Sequence, residues 1–275
     1  MARTEPRNAH IIRVDDFWNE RSEEEGTSRT YIKMERCDGT LAEYLIRIRE
    51  KGEEIHPKEL IEIMLHILSG LKHCHDRKVC HRDLKLTNSI CPSALLLLTQ
   101  LVLHIEGSCV CHPLQQHGKR WVLTDFGFST ILESKSIIQS RHGRGTDAYR
   151  APELIENAVE GRSSAGIVSR YADIWALGCI LFKLATTGRS SAFTSDWTAI
   201  AYKQSHGGFE LPQLNSSNGP FSILKPNSDW LRVELNLVLR ACFAREPKER
   251  PTCDQLLEKF EMLNELMKSL VQEEE

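Results

Sequence analysis

Residues 170–187 (RYADIWALGCILFKLATT) constrain the fold of this chain more than any other stretch. Arg170, Asp173 and Lys183 are its only charges, and the apolar residues between them fall on every side of a helix rather than along one face. A helix of that kind belongs in the middle of a domain, and 275 residues are enough to bury a core around it. The covering elements can be read from the pattern. Pro57 suits the first position of a helix, and Leu60, Ile63, Met64, Ile67, Leu68 and Leu71 then recur at spacings of three and four, one apolar face running to about His75. Leu41–Arg49, Asp229–Ala244 and Thr252–Leu270 give further amphipathic helices, with Thr40 as a cap for the first.

The strand signal is confined to the start. His10–Phe17 (HIIRVDDF) and Tyr31–Cys37 (YIKMERC) read as strands. Asn19–Arg29, with three consecutive glutamates and Gly26, reads as a solvated connection, and Asp38-Gly39-Thr40 as a turn. The segment Asp76–Asn88 does not read as a helix. Two strands followed mostly by helices make an α+β chain.

Composition removes several function classes. Lys and Arg number 35 against 38 Asp and Glu, a net charge of -3, which argues against a broad nucleic-acid surface. The apolar run Ala94–Ile105 is 12 residues long, short of the roughly 20 a membrane span needs. Nine cysteines are too few for a disulfide scaffold, and Met1–Asn8 is too polar for a secretory signal. Reduced thiols and an intracellular setting, cytoplasmic or nuclear, are expected. His104, Cys109, Cys111, His112 and His117 cluster in sequence, but they match no standard zinc spacing and are read as unliganded.

The chemistry is written in three motifs. His81-Arg82-Asp83-Leu84-Lys85-Leu86-Thr87-Asn88 fits H-R-D-L-x-x-x-N, and it is followed by Asp125-Phe126-Gly127 and Ala151-Pro152-Glu153. Each tripeptide alone is a weak match; in this order and with the long motif they are a strong one. A carboxylate close to a hydroxyl can orient it and take its proton. Lys85 offers a cation to a transferring phosphate, and Asn88 and Asp125 offer hard oxygens suited to Mg²⁺. Gly127 is expected to let the backbone turn after Asp125.

With these motifs, from about His10 to Leu270, the chain resembles the eukaryotic protein kinases. The resemblance implies a protein-kinase-like fold with a mainly helical C-lobe. It implies ATP and Mg²⁺ as cofactors and a protein hydroxyl as substrate. Asp83 and Lys85 would be catalytic, with Asn88 and Asp125 as metal ligands. Met34 would be the gatekeeper, the backbones of Glu35 and Cys37 would bond the purine edge, and Ile90 would be the floor under the ring. Thr146, in Gly145–Arg150, would lie in the substrate-docking segment, and with Lys85 it places the chain on the Ser/Thr side. The structural residues would be His81 and Arg82, held through their backbone by Asp173, and the ion pair of Glu153 with Arg250. Arg82 beside Asp83 suggests control by an activating kinase or other regulatory partner, with Ser134, Ser136 and Ser140 as acceptors.

Two departures accompany the resemblance. No G-x-G-x-x-G motif and no strand lysine precede these motifs within the 275 residues, and Lys33 lies in the hinge strand. A truncated N-lobe with two strands retained is therefore expected. The division is residues 1–37 as N-lobe remnant and hinge strand, 38–270 as C-lobe and 271–275 as acidic tail. Asp83 and Asp125 are 42 positions apart, so an insertion is expected at about 91–120, the chain returning at Trp121 as a strand. Two functions stay open on this reading: a Ser/Thr kinase, or a noncatalytic kinase-like interaction or regulatory protein.

Overall fold

A computed structural model describes residues 8–22, 27–92, 120–132, 145–159, 170–205, 211–215 and 229–272. The bulk of the expected insertion, the leucine-rich run, the His/Cys cluster, Ser134, Ser136, Ser140 and the last three glutamates lie outside these residues.

The molecule is α+β, a helical lobe topped by short strands. The all-round apolar segment forms α4 (Arg170–Ala185), whose Ala172–Phe182 stretch is buried without interruption. Around it stand α1 (Leu41–Glu50), α2 (Pro57–Asp76), α3 (Pro152–Val159), α5 (Asp196–Gln204), α6 (Asp229–Cys242) and α7 (Cys253–Gln272). Trp175 of α4 packs on Phe193 and Phe243 with ring centroids 4.9 and 5.0 Å apart, and Tyr202 closes the aromatic cluster. Gly178 lets α4 and α6 approach here: a Cβ on it would lie 2.8 Å from Phe243 and 2.9 Å from the Cβ of Cys242. No helix among the described residues is long and apolar enough to cross a membrane.

Thr40 caps α1 as expected. Its hydroxyl accepts from the Glu43 amide at 3.1 Å, and the Glu43 carboxylate accepts from the Thr40 amide at 2.9 Å, a reciprocal box. His56 precedes Pro57 and caps α2 through its ring nitrogen.

The strands differ from the sequence reading in three places. The first hairpin pairs β1 (Val14–Ser22) with β2 (Thr27–Met34), so it runs into the segment read as solvated connection. Cross-strand partners sustain it there without apolar burial: Asn19 accepts from Thr30 at 2.7 Å, and Glu20 faces Arg29. Residues 10–12 leave the hairpin and run parallel to β6 (Val122–Leu123), because Ile12 is drawn into an apolar cluster with Cys37 and Val122. Asp38-Gly39-Thr40 is bulged strand rather than turn, part of β3 (Cys37–Thr40).

Strand β5 (Ser89–Pro92) pairs antiparallel with both β3 and β6, giving the order β3-β5-β6. Trp121 leads into β6, where the chain was expected to return. A last pair joins β4 (Val79–Cys80) to β7 (Thr130–Ile131). Strands of two to four residues carry too few alternations to be read from periodicity.

Candidate active site

The long motif lies between β4 and β5, folded as an irregular loop with one 3₁₀ turn at Leu86–Asn88. Asp173, from the first turn of α4, holds it from below. Its Oδ2 accepts from the His81 amide at 2.9 Å and its Oδ1 from the Arg82 amide at 2.8 Å. These two bonds fix a strained stretch, since Arg82 has φ of 70°. The His75 Nε2 is 2.9 Å from Asp173 Oδ2. Burial pushes the Asp173 carboxyl up, but the hydrogen bonds it accepts from His75 and the Arg82 amide outweigh it and hold the group below the ordinary carboxylate range. His81 crosses the site: its Nε2 donates to the Thr124 carbonyl at 3.0 Å and its Nδ1 accepts from the Asp83 amide at 3.4 Å.

Above this support, Asp83, Lys85 and Thr146 close into a triangle. Lys85 Nζ donates to Asp83 Oδ2 at 2.8 Å and to Thr146 Oγ1 at 2.9 Å, and the Thr146 hydroxyl donates to Asp83 Oδ1 at 2.7 Å. Oδ1 of Asp83 therefore faces the Gly145–Arg150 segment, although the side chain is only 1% exposed. Gly145 (φ 104°) brings that segment against the loop: a Cβ there would sit 2.9 Å from the Arg82 carbonyl.

Asn88 donates its side-chain amide to the Asp83 carbonyl at 2.8 Å and to Oδ2 at 3.3 Å, so its amide oxygen turns away from Asp83. The Asn88 backbone carbonyl accepts from Thr124 at 3.1 Å, which places Asp125 one residue from that bond. Asp125 is exposed, and its carboxylate has no hydrogen-bond partner among the described residues. Here the sequence reading is corrected. The left-handed residue is Asp125 itself (φ 62°), and Gly127 is absent from the positive-φ positions. What Gly127 supplies is room, because a Cβ there would meet Asp125 Oδ1 at 3.3 Å. The side-chain oxygens of Asn88 and Asp125, without hydrogen-bond partners among the described residues, are hard donors of the kind Mg²⁺ takes, its remaining positions being open to phosphate and water. No group of three His, Cys, Asp or Glu side chains suited to a metal occurs among the described residues.

The residues read as a hinge stand on another edge. Cys37 opens β3, which reaches β6 through β5, and Ile90 pairs through its backbone with Thr40 and Val122. The Ile90 side chain lies outside the described residues. The Glu35 amide donates to the Arg13 carbonyl at 2.9 Å, leaving the Glu35 carbonyl 3.6 Å from the Cys37 sulfur. The Glu35 side chain pairs with Arg120 at 2.8 Å. Met34 is 40% exposed opposite Val14, on a hairpin face shared with Phe17 and Ile32.

Glu153 and Arg250, 97 positions apart, form a bidentate pair at 2.6 and 2.9 Å. Arg250 also donates to the carbonyls of Ala244 and Tyr171 and lies 5.0 Å over the Trp175 ring.

Sequence reasoning gives no role to His75 and does not join Asp147 and Arg150 to Asp196. The partners come from separate elements, and no local motif marks them. Asp147 accepts from the Asp196 amide at 2.6 Å, and Arg150 pairs with Asp196. Burial raises the Asp196 carboxyl to about 6, the Asp147 side chain adds to it, and Arg150 works against it. Asp147 is lowered, chiefly by the Asp196 amide. The folded chain therefore holds a proton on Asp196 that the unfolded chain releases near 3.8, so Asp196 stabilises the fold at low pH and that contribution is lost as pH rises to about 6. Melting temperatures across this window are expected to fall more in the unaltered protein than in Asp196→Asn; parallel profiles would refute the assignment.

Comparison with known proteins identifies the family. The sequence model of the family described as "Protein kinase domain" matches residues 1–260. The chain is 29% identical over 243 residues to mouse serine/threonine-protein kinase Nek1, covering 88% of this chain and 16% of that protein. It is 27% identical over 248 residues to human serine/threonine-protein kinase Nek5, covering 89% of this chain and 28% of that protein. To rat mitogen-activated protein kinase kinase kinase 12 it is 30% identical over 227 residues, covering 82% and 20%. It thus spans less than a third of the length of each of these relatives. With a helical lobe built around α4, a match over most of its length and relatives that are serine/threonine kinases, the chain belongs to the protein kinase family.

Proposed function

We propose that this chain transfers the γ-phosphoryl group of ATP, with Mg²⁺, to a serine or threonine hydroxyl of a protein. The observation that carries the reading is the Asp83–Lys85–Thr146 triangle, in which an acceptor-only carboxylate, a cation and a hydroxyl lie within 2.9 Å of one another. A substrate hydroxyl that takes the place of the Thr146 donor on Asp83 Oδ1 is oriented by that oxygen and gives up its proton to it. The hydroxyl oxygen bonds to the γ-phosphorus as the bond to the β,γ-bridging oxygen breaks, and ADP leaves. Lys85 sets its positive charge beside the phosphoryl oxygens. Asn88 and Asp125 would hold Mg²⁺, which when bound neutralises phosphate charge. Met34, the backbones of Glu35 and Cys37, and Ile90 would receive the adenine.

Arg82 would receive an activating phosphate placed by another kinase. Six of the described cysteines, Cys37, Cys74, Cys80, Cys179, Cys242 and Cys253, are buried free thiols, which supports a reducing intracellular setting, cytoplasmic or nuclear.

A second reading is a noncatalytic kinase-like regulator, whose site would hold no Mg·ATP. A thermal-shift titration separates the two. At about 100 times its dissociation constant, Mg·ATP stabilises by roughly 2.7 kcal/mol, a rise of about 5–10 °C. That rise is expected for the unaltered chain and is lost in Asp125→Ala. No rise in either protein favours the second reading.

A further inference from the structure

Behind the catalytic loop, three side chains from three helices form a buried line. Cys253 Sγ, at the first residue of α7, is 3.3 Å from Nδ1 of His75 near the end of α2. The other ring nitrogen of His75 is 2.9 Å from Asp173 Oδ2, and Asp173 carries the His81 and Arg82 amides. Cys253 is 2% exposed, and the His75 and Asp173 side chains are 6% and 1% exposed, so water does not supply the partners.

The direction of each bond follows from what each group can do. Asp173 is held as a carboxylate and can only accept, so Nε2 of His75 carries a hydrogen. Burial pushes the Cys253 thiol up, so its sulfur keeps its hydrogen. In the neutral ring with Nε2–H, Nδ1 presents a lone pair, and the thiol is the donor that faces it.

We propose that Cys253 and His75 are positioning residues for the catalytic loop: the Cys253 S–H donates to His75 Nδ1, which fixes the Nε2–H tautomer and keeps His75 on Asp173. The start of α7 is itself well placed to hold such a contact. Thr252 and Gln255 bond reciprocally across its first turn, and Lys72 joins Asp254 at 2.8 Å and Asp76 at 2.9 Å, tying α7 to α2. Arg250, three residues earlier, grips Glu153 beside the docking segment. The short run Arg250–Asp254 thus anchors both halves of the site, one through an ion pair and one through a hydrogen-bond line. The purpose given to this line rests on the kinase reading, but the line can be tested without phosphoryl transfer.

The experiment compares the unaltered chain with Cys253→Ser, which keeps a donor, and Cys253→Val, which keeps the apolar volume without one. The ¹⁵N shifts of the His75 ring and hydrogen exchange of the His81 and Arg82 amides are read in all three. The unaltered protein and Cys253→Ser are expected to show the Nε2–H form alone. In Cys253→Val the ring, without its Nδ1 partner, is expected to leave Asp173 part of the time and only then to sample both tautomers, with exchange of the two amides faster by about fivefold, the worth of one modest hydrogen bond. A ring carrying hydrogen on Nδ1 in the unaltered protein, or a Cys253→Val protein with native tautomer and exchange, would overturn the proposal. Loss of phosphoryl transfer with these readings intact would count against the kinase reading and leave the line standing.

Discussion

Asp83→Asn is expected to lower the rate of phosphate incorporation into a protein substrate by about 10²- to 10⁴-fold, the range associated with a positioned acid or base. The substitution is nearly isosteric, so the loss traces to one atom. In the native loop Oδ2 accepts from Lys85 at 2.8 Å and from Asn88 at 3.3 Å, while Oδ1 accepts from Thr146 at 2.7 Å. An amide nitrogen in either position turns an acceptor into a donor facing a donor, and the neutral group no longer takes a proton. Asp173 still holds the His81 and Arg82 amides, and Asn88 still bonds the backbone carbonyl of residue 83. The Mg·ATP thermal shift should therefore survive in Asp83→Asn while turnover collapses. Single-turnover incorporation of labelled phosphate, measured beside the thermal shift, checks both halves. An Asp83→Asn protein within threefold of the unaltered rate would remove Asp83 as the proton acceptor.

The parts of this molecule that could be read in advance are those whose physics is local. The central helix declares itself because apolar residues on every face leave no alternative to burial, and all of Ala172–Phe182 is buried. The Thr40 cap is legible because both bonds of the box join residues three apart. The Asp83, Lys85 and Asn88 spacing is likewise contained in one loop. The hairpin was read too short because Asn19, Glu20 and Arg29 look solvated in sequence; they are exposed, yet each faces a partner across the strand pair. Conformational freedom points to Gly127 for the turn after Asp125, whereas the left-handed residue is Asp125 itself, whose neighbour Thr124 is bonded on both sides, to Asn88 and to His81. His75 and Cys253 escaped notice for a different reason. Their contacts span 98 and 178 positions, and such partners are set by the packing of α2, α4 and α7 rather than by any pattern along the chain.

Arg250→Ala is expected to destabilise the fold by about 3–5 kcal/mol, the cost of removing one partner of a buried ion pair, and to lower the melting temperature by about 10 °C. The guanidinium is fully buried, and the Glu153 side chain is only 13% exposed. Removing Arg250 leaves that carboxylate without its two charge-assisted bonds, takes the donor from the Ala244 and Tyr171 carbonyls, and strips the cation from the face of Trp175. Glu153→Gln should cost less. Its amide oxygen can still accept one of the two guanidinium bonds, and Arg250 keeps both carbonyls and the ring. The order Arg250→Ala worse than Glu153→Gln therefore separates a hub from a simple pair. In a double-mutant cycle the two changes should be strongly non-additive, because the second removes a group whose partner has already gone. Denaturant unfolding of the four proteins measures this. A cost below about 1 kcal/mol for Arg250→Ala would place the pair in the class of solvated surface bridges, and would mean that Trp175 and α4 alone set the position of the docking segment. With the expected cost, residues 250 and 153 instead join the end of the catalytic lobe to the segment that presents Thr146 to Asp83. Loss of the pair should then raise the KM for protein substrate while leaving the Mg·ATP thermal shift in place.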